Sequence, residues 1–116
     1  MVILVLMKIS FFSSHSGRCY VEDFIDELSV GDKAAVIAIL KDIETYGLSA
    51  VGCQFRQIEG KLWEIKIKAP GGGYRIFYVL ISSVEMMCLH AYKKQGQKAP
   101  KRDLEVARKR LKEVLS

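Results

Sequence analysis

One short stretch of the sequence carries three basic side chains that could together bind an anion. Apolar and charged residues alternate across residues 63–68, which predicts a β-strand. Its charged face would carry Glu64, Lys66 and Lys68. Arg75 follows in a second, otherwise apolar strand, and because a buried guanidinium without a partner is costly, it must be solvated, paired with an acid or directed at an anionic ligand. In the last case this hairpin would contact RNA or another anion.

The elements that would position this hairpin form an α+β pattern in a single domain of residues 1–116. Residues 2–12 are rich in Val, Ile, Leu and Phe and predict a first strand. Two helices follow because apolar residues recur three and four positions apart, with a break at residues 29–31 and a terminating Gly47. The apolar stripes of these helices are Val21, Phe24, Ile25 and Leu28, then Val36, Ile39, Leu40 and Ile43.

Four more strands and a last helix complete the predicted fold. The strands cover residues 54–59, 61–68, 73–80 and 85–94, and the tight turns between them predict an antiparallel meander. Pro100 suits the first turn of the last helix. The predicted order is therefore β-α-α-β-β-β-β-α. The inward residues of the last helix would be Leu104, Ala107, Leu111 and Val114.

Basic residues are concentrated at the C-terminal end of the chain. The 116 residues have a formal net charge of +5, but residues 93–116 hold nine of the 18 Lys and Arg with only three acids, a net charge of +6. Such clustering is typical of a surface for nucleic acid or for an acidic protein partner, although solvated basic helices also produce it.

The three cysteines indicate the redox environment. Cys19, Cys53 and Cys88 are odd in number and widely spaced, with no C-x-x-C pair and no clustered histidines. We therefore expect reduced thiols in a cytoplasmic protein, without a metal site or another cofactor. The apolar opening of the chain is too short to span a bilayer and lacks the marks of a signal peptide, so no membrane contact is expected.

Four segments of the chain resemble the RelE/ParE superfamily of bacterial toxins, in particular its phage-derived HigB-like branch. They are residues 62–68, the Gly-Gly-Tyr-Arg-Ile-Phe-Tyr strand of residues 72–78, residues 89–94, and residues 98–111. The spacing agrees as well, with lysine, one residue, lysine, then six residues before the arginine. The resemblance implies a small twisted antiparallel sheet with an N-terminal αα-hairpin on one side and a C-terminal helix near a cleft.

The resemblance also implies a function. RelE-like and HigB-like toxins are endoribonucleases that cut mRNA in the ribosomal A site, and an antitoxin encoded beside each toxin neutralises it. The chain is accordingly expected to be the toxin of a type II toxin–antitoxin system and a metal-independent mRNA interferase. Its expected partners are mRNA, the ribosome and a cognate helix-turn-helix antitoxin.

The resemblance assigns the central catalytic roles to three residues. RNA cleavage needs a base for the 2′-OH, positive charge against the developing phosphorane and a donor for the departing 5′-oxygen. The lysine pair and the arginine of RelE correspond to Lys66, Lys68 and Arg75. Lys68 is the expected base because neighbouring cations favour a neutral amine, and Lys66 would position the phosphate. Arg75 would grip two phosphate oxygens in the transition state.

Residues at the end of the last strand would complete the site. His90 would act as acid or base, since HigB-like toxins use a histidine-containing cleft. Tyr92 would stack on a base or donate a proton, and Lys93 and Lys94 would neutralise the RNA backbone. One departure from the family pattern matters. The tyrosine early in the C-terminal helix of RelE has no counterpart after Pro100, which puts the RelE style of catalysis in doubt.

Simpler structural roles are open for the same residues. Lys66 and Lys68 would form a solvated strand face paired with Glu64, whereas Tyr92 would pack in the sheet. The basic pair of residues 93–94 would protect a strand edge from aggregation. Two other functions are alternatives: a ParE-like toxin that poisons DNA gyrase without cutting RNA, and an inactive relative that only binds an antitoxin.

Overall fold

The regular elements follow one another in the order that the sequence predicts. A computed structural model of the protein describes residues 6–116, so residues 2–5 of the predicted first strand lie outside the described part of the chain. The strands are β1 (Lys8–Phe11), β2 (Gln54–Glu59), β3 (Leu62–Ala69), β4 (Gly72–Ser82) and β5 (Glu85–Lys93). The helices are α1 (Tyr20–Asp26), α2 (Val30–Tyr46) with a short 3-10 turn at Gly47–Ser49, and α3 (Lys101–Leu115).

The five strands form one sheet in the order β1-β5-β4-β3-β2. Strands β2 to β5 are an antiparallel meander, as predicted. The first strand differs, because β1 pairs with β5 in the parallel direction, with Lys8 opposite Glu85 and Phe11 opposite Cys88. The sheet is therefore mixed rather than wholly antiparallel. Hydrophobic alternation indicates which face a side chain takes, but it does not indicate the direction of a distant partner strand.

The predicted αα-hairpin packs on one face of the sheet and forms the larger core. The side-chain oxygen of Ser29 caps α2 by accepting from the amide of Asp32 at 3.4 Å, and Gly47 ends the helix with a φ of 61°. The apolar stripes of both helices pack in this core, as predicted. The strand residues buried against them include Ile65, Ile67 and Ile76.

The C-terminal helix packs on the opposite face of the sheet. α3 begins directly after Pro100, whose φ of −57° is compatible with a helix start. The second core lies beneath this helix and contains Phe77, Val79 and Leu89. The predicted inward residues of α3 all belong to it, and they are Leu104, Ala107, Leu111 and Val114.

The second face is covered only in part. A cavity opens on it near the turn between β3 and β4, and none of the residues that line this cavity belongs to α3. Across residues 6–116 there is no helix of the length and apolar character needed to cross a membrane.

Candidate active site

The cavity beside the β3–β4 turn is strongly basic. It has a volume of about 590 Å³, and the residues that line it include four with positive charge and none with negative charge. We call it the cationic cleft and define it by its charged side chains, Lys66, Lys68, Arg75 and Lys94. Four like charges in one concave surface form a site that attracts an anion, because a recessed site concentrates their field.

Strand register explains why these four residues meet. Lys66 lies opposite Arg75 on β4, and Lys68 lies opposite Gly73. The amide of Lys94 donates to the carbonyl of Gly73 at 2.8 Å, which ties the end of β5 to the same place. Three of the predicted site residues are therefore neighbours, and Lys94 joins them. The predicted alternation of β3 is correct for both lysines, whose neighbours Ile65 and Ile67 face the helices.

Arg75 is both paired with an acid and part of the cleft. It is buried, with 8% of its surface exposed. Its Nε atom lies 3.6 Å from Oε1 of Glu64, and its Nη1 atom donates to the carbonyl of Tyr74 at 3.3 Å. Of the three alternatives for this arginine, the structure shows the pairing with an acid. The ion pair fixes the guanidinium while the side chain still lines the cleft.

The burial of Glu64 differs from what the alternating pattern of β3 predicts. The alternation places it on the same face as the two lysines, and we expected a surface row of three charges. In the structure Glu64 is completely buried, whereas Lys66 is partly exposed and Lys68 exposed. The sequence pattern identifies the face of the sheet correctly, but it cannot show that neighbouring side chains cover one position of that face.

A second arginine, which the sequence analysis did not single out, shares the buried carboxylate. Nη2 of Arg56 lies 3.3 Å from Oε1 of Glu64, and the Arg56 side chain is about half exposed. One carboxylate thus lies between two guanidinium groups, so this group of three keeps a net positive charge. The strand pairing could have indicated this contact. Arg56 lies opposite Glu64 on β2, and charged residues on paired strands often interact across the sheet.

Tyr92 hydrogen-bonds to this group and does not line the cleft. Its hydroxyl donates to Oε2 of Glu64 at 3.1 Å. Burial, followed by the nearby charge of Glu64, raises the pKa of Tyr92 well above its usual value. The ring is buried and stacks on Phe77 with centroids 5.5 Å apart. The structural alternative for this tyrosine therefore describes its position, because the ring is buried in the sheet and does not line the cleft.

His90 lies outside the cationic cleft, under the C-terminal helix. Its Nε2 atom is 2.6 Å from Oδ1 of Asp103, and its Nδ1 atom is 3.4 Å from Nη1 of Arg110. Because an arginine only donates hydrogen bonds, Nδ1 of His90 accepts one from Arg110. The proton of the ring is then on Nε2, which donates a hydrogen bond to Asp103. Burial lowers the pKa of His90 and outweighs the opposing effect of Asp103. This histidine therefore links α3 to the sheet as a neutral group.

Lys93 lies on the other face of the sheet from the cleft, at a junction that the sequence analysis missed. Asp32, in the first turn of α2, accepts hydrogen bonds from the hydroxyl of Tyr74 at 2.5 Å and from the amide of Gly71 at 2.7 Å. These bonds lower the pKa of Asp32, and the charge of Lys93 lowers it further. The junction anchors the β3–β4 turn to α2. It thereby holds the turn on which the cleft is built.

Few other side chains near the cleft have functional chemistry. Cys53 lines the cavity as a free thiol, and burial, together with the charge of Asp42, raises its pKa, which disfavours the reactive thiolate. Within the described residues, no three His, Cys, Asp or Glu side chains form a group that could hold a metal ion. The side chains that the cleft offers to a ligand are thus mainly cationic donors.

Comparison with known proteins assigns the chain to a family. Residues 23–112 match the family model described as phage-derived protein Gp49-like (DUF891). A search of curated proteins found no match. The matched span begins in α1, ends in α3 and includes every residue of the cationic cleft. The chain therefore belongs to the family of phage-derived Gp49-like proteins, which is related to the RelE superfamily of toxins in toxin–antitoxin systems.

Proposed function

We propose that the protein is the toxin of a type II toxin–antitoxin system, of the HigB-like kind, and that it cuts mRNA. The reaction is attack of a ribose 2′-OH on the adjacent phosphate, without a metal ion. The observation that supports it is the cationic cleft, in which one buried arginine is held by an ion pair and three lysines surround the same cavity. The family assignment supports the toxin class.

Arg75 and Lys66 bind the phosphate that is attacked. They lie opposite each other on neighbouring strands, so that both can reach one phosphate group. A guanidinium presents two parallel N–H donors to phosphate oxygens and stays charged at any working pH. Negative charge accumulates on these oxygens in the transition state. Fixed donors therefore stabilise the transition state more than the ground state.

Two lysines carry the proton transfers. Lys68 removes the proton from the 2′-OH, because its amine lines the cleft beside the two cations that bind the phosphate. Lys94 donates a proton to the departing 5′-oxygen. The sequence alone left this role open to His90 and Tyr92. Those two side chains lie outside the residues that line the cleft, whereas Lys68 and Lys94 flank Gly73 from its two neighbouring strands.

The wider setting of the reaction follows from the family relationship. We propose that the substrate is mRNA in the ribosomal A site of the cytoplasm and that a helix-turn-helix antitoxin neutralises the protein. Residues 93–116 have a net charge of +6, so acidic residues of the antitoxin would surround a mainly apolar contact near α3.

Induced expression in bacteria, with primer-extension mapping of mRNA ends, tests this function. We expect growth arrest and new mRNA ends in wild type, and neither in Arg75→Ala or Lys68→Ala. Lys61→Ala is the matched control, because Lys61 is an exposed lysine of the β2–β3 turn that does not line the cleft. All three variants should keep the circular dichroism spectrum of the wild type.

Other outcomes of the same experiment contradict the nuclease. Arrested replication with intact mRNA would support the gyrase alternative. Full growth with wild type at high expression would support an inactive antitoxin-binding relative. Cleavage that survives Arg75→Ala would place the reaction outside the cationic cleft.

A further inference from the structure

We infer that Glu64 is a positioning residue that holds the guanidinium of Arg75 at the angle needed for phosphate. The inference rests on the proposed function, in which Arg75 contacts the scissile phosphate. Glu64 does not line the cleft and so touches no substrate itself. Its effect on catalysis passes through Arg75.

The burial of Glu64 indicates that its charge has a specific use. Its side chain has no exposed surface, and taking a carboxylate out of water is costly unless partners compensate for it. Its charged partners are Arg56 at 3.3 Å and Arg75 at 3.6 Å. Arg56 is about half exposed, so water already solvates its charge. Arg75 is nearly buried, with 10% of its side chain exposed, and depends on Glu64 far more.

The geometry leaves donors of Arg75 free for a ligand. An arginine has five N–H donors in a planar fork. Glu64 faces the Nε edge, and Nη1 donates to the carbonyl of Tyr74. Within the described residues, Oε1 of Glu64 accepts no hydrogen bond, so the ion pair attracts the guanidinium without using up a donor. The negative charge of Glu64, behind the guanidinium, orients the N–H donors of Arg75 that remain free for a ligand.

Tyr92 fixes the carboxylate in turn. Its hydroxyl donates to Oε2, while both guanidinium groups lie nearest to Oε1. The two oxygens of Glu64 therefore have different partners, which sets the orientation of the carboxylate plane. The buried Tyr92 ring packs on Phe77 and connects this arrangement to the apolar core.

A double-mutant cycle on binding tests the inference. The probe is a short RNA with 2′-O-methyl groups, which cannot be cut, and its dissociation constant is measured for wild type, Glu64→Gln, Arg75→Ala and the double variant. We expect Glu64→Gln to weaken binding by roughly tenfold in the wild-type background and hardly at all with Arg75→Ala, because a positioning residue has no effect once its target is gone. Equal losses in both backgrounds would overturn the inference.

A milder variant covers the case in which Glu64→Gln fails to fold. Tyr92→Phe removes only the hydroxyl that donates to Glu64 and keeps the packing of the ring. On programmed ribosomes we expect its kcat and its RNA affinity both to fall several-fold, since a misaligned guanidinium binds the phosphate less well in the ground state and in the transition state. An unchanged kcat for this variant, together with wild-type RNA affinity, would contradict the role.

Proton exchange at Arg75 separates this inference from the proposed function. The Nε–H resonance of Arg75, assigned by its loss in Arg75→Lys, should exchange slowly in wild type and quickly in Tyr92→Phe and in Glu64→Gln, if that variant folds. Arg56, half exposed, is the internal control and should exchange quickly in every sample. Wild type could neither cut nor bind RNA and still show slower Nε–H exchange than the variants. That result would contradict the proposed function but support the contact between Glu64 and Arg75. If Arg75 exchanges equally in all variants, the inference fails.

Discussion

One face of the sheet lies opposite the αα-hairpin, and its two halves have contrasting chemistry. Beneath α3 the face presents Phe77, Val79 and Leu89, which are completely buried. Beside the β3–β4 turn the same face presents Lys66 and Arg75 and lines a cavity. Phe77 and Arg75 are only two residues apart on β4. The contrast shows that the cleft is made by where the last helix lies, because one strand supplies both halves.

The two halves also differ in how their charges are balanced. Under the helix, His90 is paired with Asp103 and is held as a neutral group. Behind the cleft, the buried Glu64 is the acid that faces Arg75, and it is shared with Arg56. The covered half therefore uses polar groups to attach α3. The open half keeps an excess of positive charge that only a ligand or counterions can balance.

Truncating the centre of the covered half should have the largest effect. Phe77→Ala removes a completely buried ring, and we expect it to lower the free energy of unfolding by about 3–5 kcal/mol, measured with urea. The matched control is Val30→Ala, since Val30 is 88% exposed and its truncation should change stability by less than about 0.5 kcal/mol. A loss below about 1 kcal/mol for Phe77→Ala would mean that α3 does not seal this half.

Removing a cation from the open half should change binding without changing stability. For Lys68→Ala we expect the melting temperature of wild type, because this side chain is exposed. The slope of log K against log salt for single-stranded RNA should become shallower by about 0.7, the value for one lost phosphate contact. Lys61→Ala should keep the wild-type slope. An unchanged slope for Lys68→Ala would place the RNA elsewhere.

The His90 contact should give the smallest effect, a pH dependence of stability. Burial lowers the pKa of His90 in the folded state below the unfolded value of about 6.5, so the unfolded chain binds more protons just below that pH. The contribution of His90 is therefore complete above pH 6.5 and is lost as the pH falls toward the folded pKa. The free energies of unfolding of wild type and His90→Gln, measured by urea titration, should become more similar as the pH falls from 7.5 to 5. A constant difference would mean that His90 has an unshifted pKa.

Much of the fold could be predicted because it depends on local patterns. Helical spacing in the two N-terminal helices, alternation in β3 and the glycine turns all report on the nearest neighbours in the chain. The parallel pairing of β1 with β5 depends on residues far apart in the sequence, such as Lys8 and Glu85, and local patterns cannot supply it.

The cleft could be predicted in outline only. The alternation placed Lys66 and Lys68 together on one face, and the register of the hairpin then brings Arg75 beside them. Burial of Glu64 and Tyr92 could not be read from that pattern, because it depends on which side chains of other elements cover them. The location of His90 could not be predicted for a similar reason, since the position of α3 decides what this histidine contacts.

The parallel pairing of β1 has a consequence for biosynthesis. Translation delivers β1 first and its partner β5 last among the strands, so the N-terminal segment lacks its strand partner until nearly the whole chain has emerged. A nascent chain interrupted before residue 85 lacks this partner and also lacks Lys94. Completion of the sheet and assembly of the cleft are thus timed together during translation.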